Sequence, residues 1–95
     1  MTAIKNTSKA TKTIYAENKF NVYSNHTGVM TSNYDFKFVF GSIESATDSG
    51  LIILEHGSVT MSPQHAKAFC SHLSNAIASY ETSFGEIKLT NKPTE

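Results

Sequence analysis

The segment Met61-Ser62-Pro63-Gln64-His65-Ala66-Lys67, with the apolar stripe that follows it to Phe84-Gly85, constrains this chain more than any other feature. Both ends of a helix are written there. The Ser62 hydroxyl can accept from an amide of the first turn, and Pro63 stands at the first helical position, where its missing N–H costs nothing. Ala66, Phe69, Cys70, Leu73, Ala76, Ile77, Tyr80 and Phe84 then recur at spacings of three and four, which predicts a single apolar face. Gly85 supplies the left-handed residue that ends the helix. Lys67, Ser71, Ser74, Asn75, Ser79 and Glu81 fall on the opposite, solvated side.

Upstream, the period changes from helical to that of strands. Phe20-Asn21-Val22-Tyr23, Gly28-Val29-Met30-Thr31 and Asp35 to Phe40 read as short β-runs, and Phe36, Phe38 and Phe40 alternate with Lys37 and Val39 so that three rings share one core face. Ser24 to Gly28 and Ser32-Asn33 carry turn-forming residues, so the runs are expected to form an antiparallel meander. Glu44 to Gly50 is polar and is expected to be a mobile loop. Leu51-Ile52-Ile53-Leu54 is apolar on both faces, and such a strand needs cover on both. Gly57 is either part of a two-residue hairpin turn with His56 or a bulge in one long strand reaching Met61, and the kinked strand is preferred.

The expected fold is therefore α+β: an antiparallel β-meander of three to four strands followed by one long C-terminal helix packed on one sheet face. Residues 1–13 are basic, polar and aperiodic, which predicts a disordered arm. Residues 14–88 form a single domain, and 89–95 a flexible tail. Ile87 and Leu89 are candidates for one more strand.

Eight lysines balance eight Asp and Glu, and there is no arginine. Arg is the usual residue for bidentate contacts to phosphate and guanine, so its absence disfavours sequence-specific nucleic-acid binding. Tyr23, Tyr34 and Phe36 could stack bases, but core packing explains Phe36 more simply. Cys70 is the lone cysteine, so no intrachain disulfide or cysteine-based zinc site is available, and a reducing, cytoplasmic setting is expected. The arm lacks the apolar segment of a secretory signal, and no apolar run approaches the ~20 residues needed to cross a bilayer.

No reaction is legible. His65 and His72 stand two helical turns, ~10 Å, apart, too far for one metal ion, and no i, i+4 ligand pair is present. Cys70 sits on the apolar stripe, where buried thiols are inert. Phosphate loops, nucleophile elbows and spaced carboxylate pairs are all absent. The expectation is a non-enzymatic protein with no cofactor and no metal.

One helix covers one face of a sheet and leaves the other open, and exposed apolar patches above a few hundred Å² usually mark an interaction surface. A homo-oligomer, most simply a two-fold dimer joined through its sheets, is expected, together with a protein partner. The candidate apolar contact residues are Val39, Leu51, Ile52, Ile53 and Leu54. A second, polar candidate surface joins His65 and Lys67 to Asn25 and His26, if the turn folds near the helix.

Several blocks together form a pattern: Tyr23-Ser24-Asn25, Asp35-Phe36 with Phe40-Gly41, Val59 to Lys67, and Tyr80-Glu81 with Phe84-Gly85-Glu86-Ile87. Over roughly residues 20 to 88 this resembles the family known as domain of unknown function 3467. The resemblance implies an intracellular domain of about this length, and it brings no activity or cofactor with it. The chain differs from the family pattern in having few charges on its helix. At the level of fold alone, a sheet followed by a long helix is also similar to the export chaperone SecB, which implies an alternative role in binding unfolded segments.

Overall fold

A computed structural model describes residues 10–89. Three antiparallel strands, β1 (His26–Thr31), β2 (Phe36–Thr47) and β3 (Gly50–Met61), lie in the order β1-β2-β3, and the helix α1 (Pro63–Phe84) follows. The fold class is the expected α+β meander and helix.

Turn chemistry joins the strands. Between β1 and β2 the Ser32 hydroxyl accepts from the Tyr34 amide at 3.0 Å and the Asp35 amide at 3.2 Å, and the Ser32 amide donates to the Asp35 carbonyl at 2.9 Å. A serine at the first position of a turn does this because its short side chain reaches its own following backbone. Between β2 and β3 only Asp48-Ser49 separates the paired residues Thr47 and Gly50.

Two bulges shape the long hairpin. Phe40 pairs with Gly57 but Gly41 pairs with Glu55, which leaves His56 as the extra residue, and a second shift falls between Ile43 and Ser45. Residues 51–61 thus form one kinked strand, the preferred reading of Gly57. The expected loop over Glu44 to Gly50 is instead strand as far as Thr47, with a tight turn beyond it. Backbone pairing needs no large apolar side chain, and the β-prone residues Leu51 and Ile52 impose the ladder on their partners Ala46 and Ser45.

The expected strand at Phe20 to Tyr23 does not pair. The ladder between β1 and β2 ends where His26 meets Gly41, beside the bulge, and the chain before it crosses to Phe40 and Val59. Side chains hold that crossing. The Asn25 amide donates to the Gly41 carbonyl at 3.1 Å, and the Ile43 amide donates to Asn25 Oδ1 at 2.9 Å. Residues 1–9 and 90–95, which include most of the expected arm and tail, lie outside the described residues; Ile87 and Leu89 add no strand to the sheet.

The helix is built as its sequence requires. Ser62 caps it by accepting from the His65 amide at 3.1 Å, and the Gly85 amide closes it on the Glu81 carbonyl at 2.9 Å. It packs on the phenylalanine face by its opening turns. Phe38 meets Phe69 edge to face with centroids 5.9 Å apart, and Ala66 is the one buried residue of α1. Beyond Phe69 the stripe leaves the sheet, because Ser62 alone separates β3 from α1, whereas strand-to-helix connections usually take 2–6 residues. The chain is accordingly elongated, at 60 × 35 × 30 Å with a radius of gyration of 18.1 Å against the roughly 12 Å of a compact chain of this size.

Candidate interaction surface

The buried hydrophobic core of the described chain consists of Val39, 8% exposed, and Ala66, 6% exposed. A small domain normally closes around far more. The apolar side chains that would complete this one are on the surface, in three places.

The first is the end of the hairpin. Leu51, Ile52 and Leu54 are exposed, Ile52 by 63%, and Ile43 adjoins them. Ile53 is more enclosed: it pairs with Ile43, and its Cγ2 would stand 3.1 Å from a Cβ on Gly41. Strand alternation puts Leu51 and Ile53 on one face and Ile52 and Leu54 on the other, so the cluster presents both faces of one strand end.

Val39 does not belong to this surface. It pairs with Gly28 and Ser58, four residues along β2 from Ile43, and it is buried. The expectation of an open patch running from Val39 to Leu54 is corrected accordingly: Val39 is core, and the accessible cluster starts beyond the first bulge.

The second place is α1 itself. Leu73, Ile77, Tyr80 and Phe84 are exposed, Phe84 by 75%, and the Tyr80 and Phe84 rings stack on one another at 4.9 Å rather than on the sheet. The stripe is plain in the sequence. Its exposure was signalled only by the one-residue connection at Ser62, since periodicity says which face is apolar and nothing about what covers it.

The third is the crossing segment. Phe20 and Val22 border a cavity with Phe40, His56 and Gly57, and His56 Nε2 lies 2.7 Å from Ser42 Oγ. The extra residue of the bulge is thus tied to the neighbouring strand. Another cavity, at the root of the helix, is lined by Val29, Phe36, Phe38, Pro63, Ala66 and Cys70, with Lys67 at its edge.

The polar candidate surface is not assembled. His26 pairs with Gly41, while α1 begins beyond Met61, the partner of Phe36, so Asn25 and His26 lie five strand residues, about 17 Å, from the helix start near His65 and Lys67. Among the described residues no three His, Cys, Asp or Glu side chains converge to hold a metal ion. Nor does any described helix have the length and apolarity to cross a membrane.

The family model described as a protein of unknown function (DUF3467) matches residues 2–89, nearly the whole chain. The chain belongs to the DUF3467 family. The exposed stripe and the exposed hairpin end both lie inside the span of the DUF3467 match. Comparison with curated proteins and with solved structures gives no match.

Proposed function

We propose that this DUF3467 chain is a non-enzymatic, homo-oligomeric adaptor of the cytoplasm that completes its core by association and offers the Leu51, Ile52 and Leu54 end of its hairpin to a protein partner. One observation carries the reading: among the described residues only two hydrophobic ones are buried, Phe36, Phe38, Phe40, Ile53 and Val59 are half-buried, and most other aromatic and aliphatic side chains are exposed. Fully burying one large apolar side chain contributes about 1.5–3 kcal/mol, so a core this small falls short of offsetting the ordering of some eighty residues. Association supplies the missing burial.

The test uses the full chain and its Ile52→Asp variant as baits in the source cell, with the mass of each purified protein measured by light scattering. Ile52 is the better position than Ile53, because Ile53 also packs against the Gly41 backbone. The expected result is an oligomer that retains one stoichiometric protein, which Ile52→Asp loses. A spread of unrelated aggregation-prone proteins would replace the adaptor by the chaperone reading. Nucleic acid co-purifying with the oligomer, seen as raised absorbance at 260 nm, would overturn both.

A further inference from the structure

We propose that the exposed stripe of α1 is the seam of an antiparallel, two-fold helix pair between two copies of this chain. The proposal rests on the homo-oligomer reading and assigns it a surface and an orientation.

The spacing of the stripe is self-complementary when reversed. About a dyad level with Asn75, Cys70 stands opposite Tyr80 and Leu73 opposite Ile77, while Phe84 falls level with Ala66, which is already buried at the helix root and lines the apolar cavity there with Val29, Phe36 and Phe38. At each end a small side chain faces a large aromatic one, and at the centre two aliphatic residues of equal size meet, with Ala76 leaving room for close approach. Large against small is how facing helix positions interdigitate. A parallel pair would set Phe84 on Phe84 at one end and bring the two sheets together at the other, where Ala66 is already covered.

Charge selects the same orientation. Lys67 and Glu81 lie fourteen residues apart on the same flank of the stripe, beside Cys70 and Ile77. With a rise of 1.5 Å per residue, the antiparallel dyad brings Lys67 of one copy within about 3 Å, along the axis, of the level of Glu81 of the other, and it does so twice. The opposite flank carries His65, His72, Ser79 and Ser83 and no carboxylate or lysine. In a parallel pair the flank of Lys67 and Glu81 would face the opposite flank of the other copy, with His65, His72, Ser79 and Ser83, and Lys67 and Glu81 would find no charged partner across the seam.

The area is sufficient. Phe69, Leu73, Ile77, Tyr80 and Phe84 together expose on the order of 500 Å², given that a whole aromatic side chain amounts to 150–250 Å². Two copies then approach the roughly 1,000–1,200 Å² at which specific interfaces begin. The hairpin end lies on another element and stays free for the partner.

The native thiol provides the test. In the antiparallel seam Cys70 lies about 15 Å along the axis from its own copy but level with Tyr80 of the other chain. The full chain and its Tyr80→Cys, Ser71→Cys and Leu73→Asp variants would be treated with a bifunctional thiol reagent too short to bridge 15 Å, and their masses taken by light scattering. The expected result is a non-covalent wild-type dimer that the reagent does not link, majority linkage in Tyr80→Cys, none in Ser71→Cys, and dimer affinity weakened more than tenfold in Leu73→Asp. Linked wild-type dimer, no linkage in Tyr80→Cys, or full dimer mass in Leu73→Asp at wild-type affinity would overturn the seam while leaving homo-oligomerisation standing. A monomeric wild type would remove both.

Discussion

Phe38 and Phe69 meet edge to face, with ring centroids 5.9 Å apart and planes inclined at 75°, and they form the aromatic joint between sheet and helix. Beyond that joint the apolar stripe of α1 is exposed, so the orientation of the whole helix depends on a contact near its root.

Truncating either ring should therefore loosen the helix without melting it. Phe38→Ala, Phe69→Ala and the double variant, compared by denaturant titration, are expected to give a coupling of about 0.5–1.5 kcal/mol, the usual excess of an aromatic pair over its area. Helical circular dichroism should be kept in all three, since the caps at Ser62 and Gly85 are local. Additive single effects would show that the two rings touch without energetic consequence.

Ser24 fastens the crossing segment to the sheet. Its hydroxyl accepts from the Gly41 amide at 3.1 Å and lies 2.8 Å from the Gly41 carbonyl and 2.9 Å from that of His26. Ser24→Ala removes these partners at a half-buried site, and an unsatisfied buried group costs about 1–3 kcal/mol, with the lower figure expected here. Amide exchange at Gly41 should accelerate, and proteolysis ahead of His26 should become faster. Unchanged exchange at Gly41 would mean that water replaces the hydroxyl at no cost.

Gly41 itself admits no side chain. A Cβ there would stand 2.7 Å from the Leu54 carbonyl oxygen and 3.3 Å from the Glu55 Cα, and both are backbone atoms that cannot swing aside. Gly41→Ala should cost about 1–3 kcal/mol, as overpacking does, read as a lowered denaturation midpoint. Gly28→Ala, with open space around its Cβ direction, should cost much less and serves as the control.

These positions mark how far the residues alone can lead. The helix was legible to its caps because Ser62, Pro63 and Gly85 act on neighbours in sequence. The alternation of Phe36, Phe38 and Phe40 similarly identified β2 and the face that the helix meets. What was not legible depends on partners distant in the chain. Ser45 to Thr47 are strand because Gly50 to Ile52 pair with them, and Phe20 to Tyr23 are not because the bulge at Gly41 ends the ladder. Val39 and Ile52 looked alike as apolar strand residues, and only the register separates the buried one from the exposed cluster. The exposure of the helix is a matter of entry angle, fixed at the single residue Ser62.

The small core has a thermodynamic consequence. If association completes the fold, unfolding and dissociation are one reaction, and stability must depend on how much protein is present. For a dimer each tenfold dilution removes about 1.4 kcal/mol, so the melting temperature should fall stepwise as the chain is diluted. Leu73→Asp, on the exposed stripe, should abolish the slope, whereas Gly41→Ala, inside the sheet, should lower the whole line and keep its slope. A wild-type melting temperature independent of concentration would mean that Val39, Ala66 and the half-buried phenylalanines hold one chain unaided, and the exposed stripe would then lose its claim to a structural role.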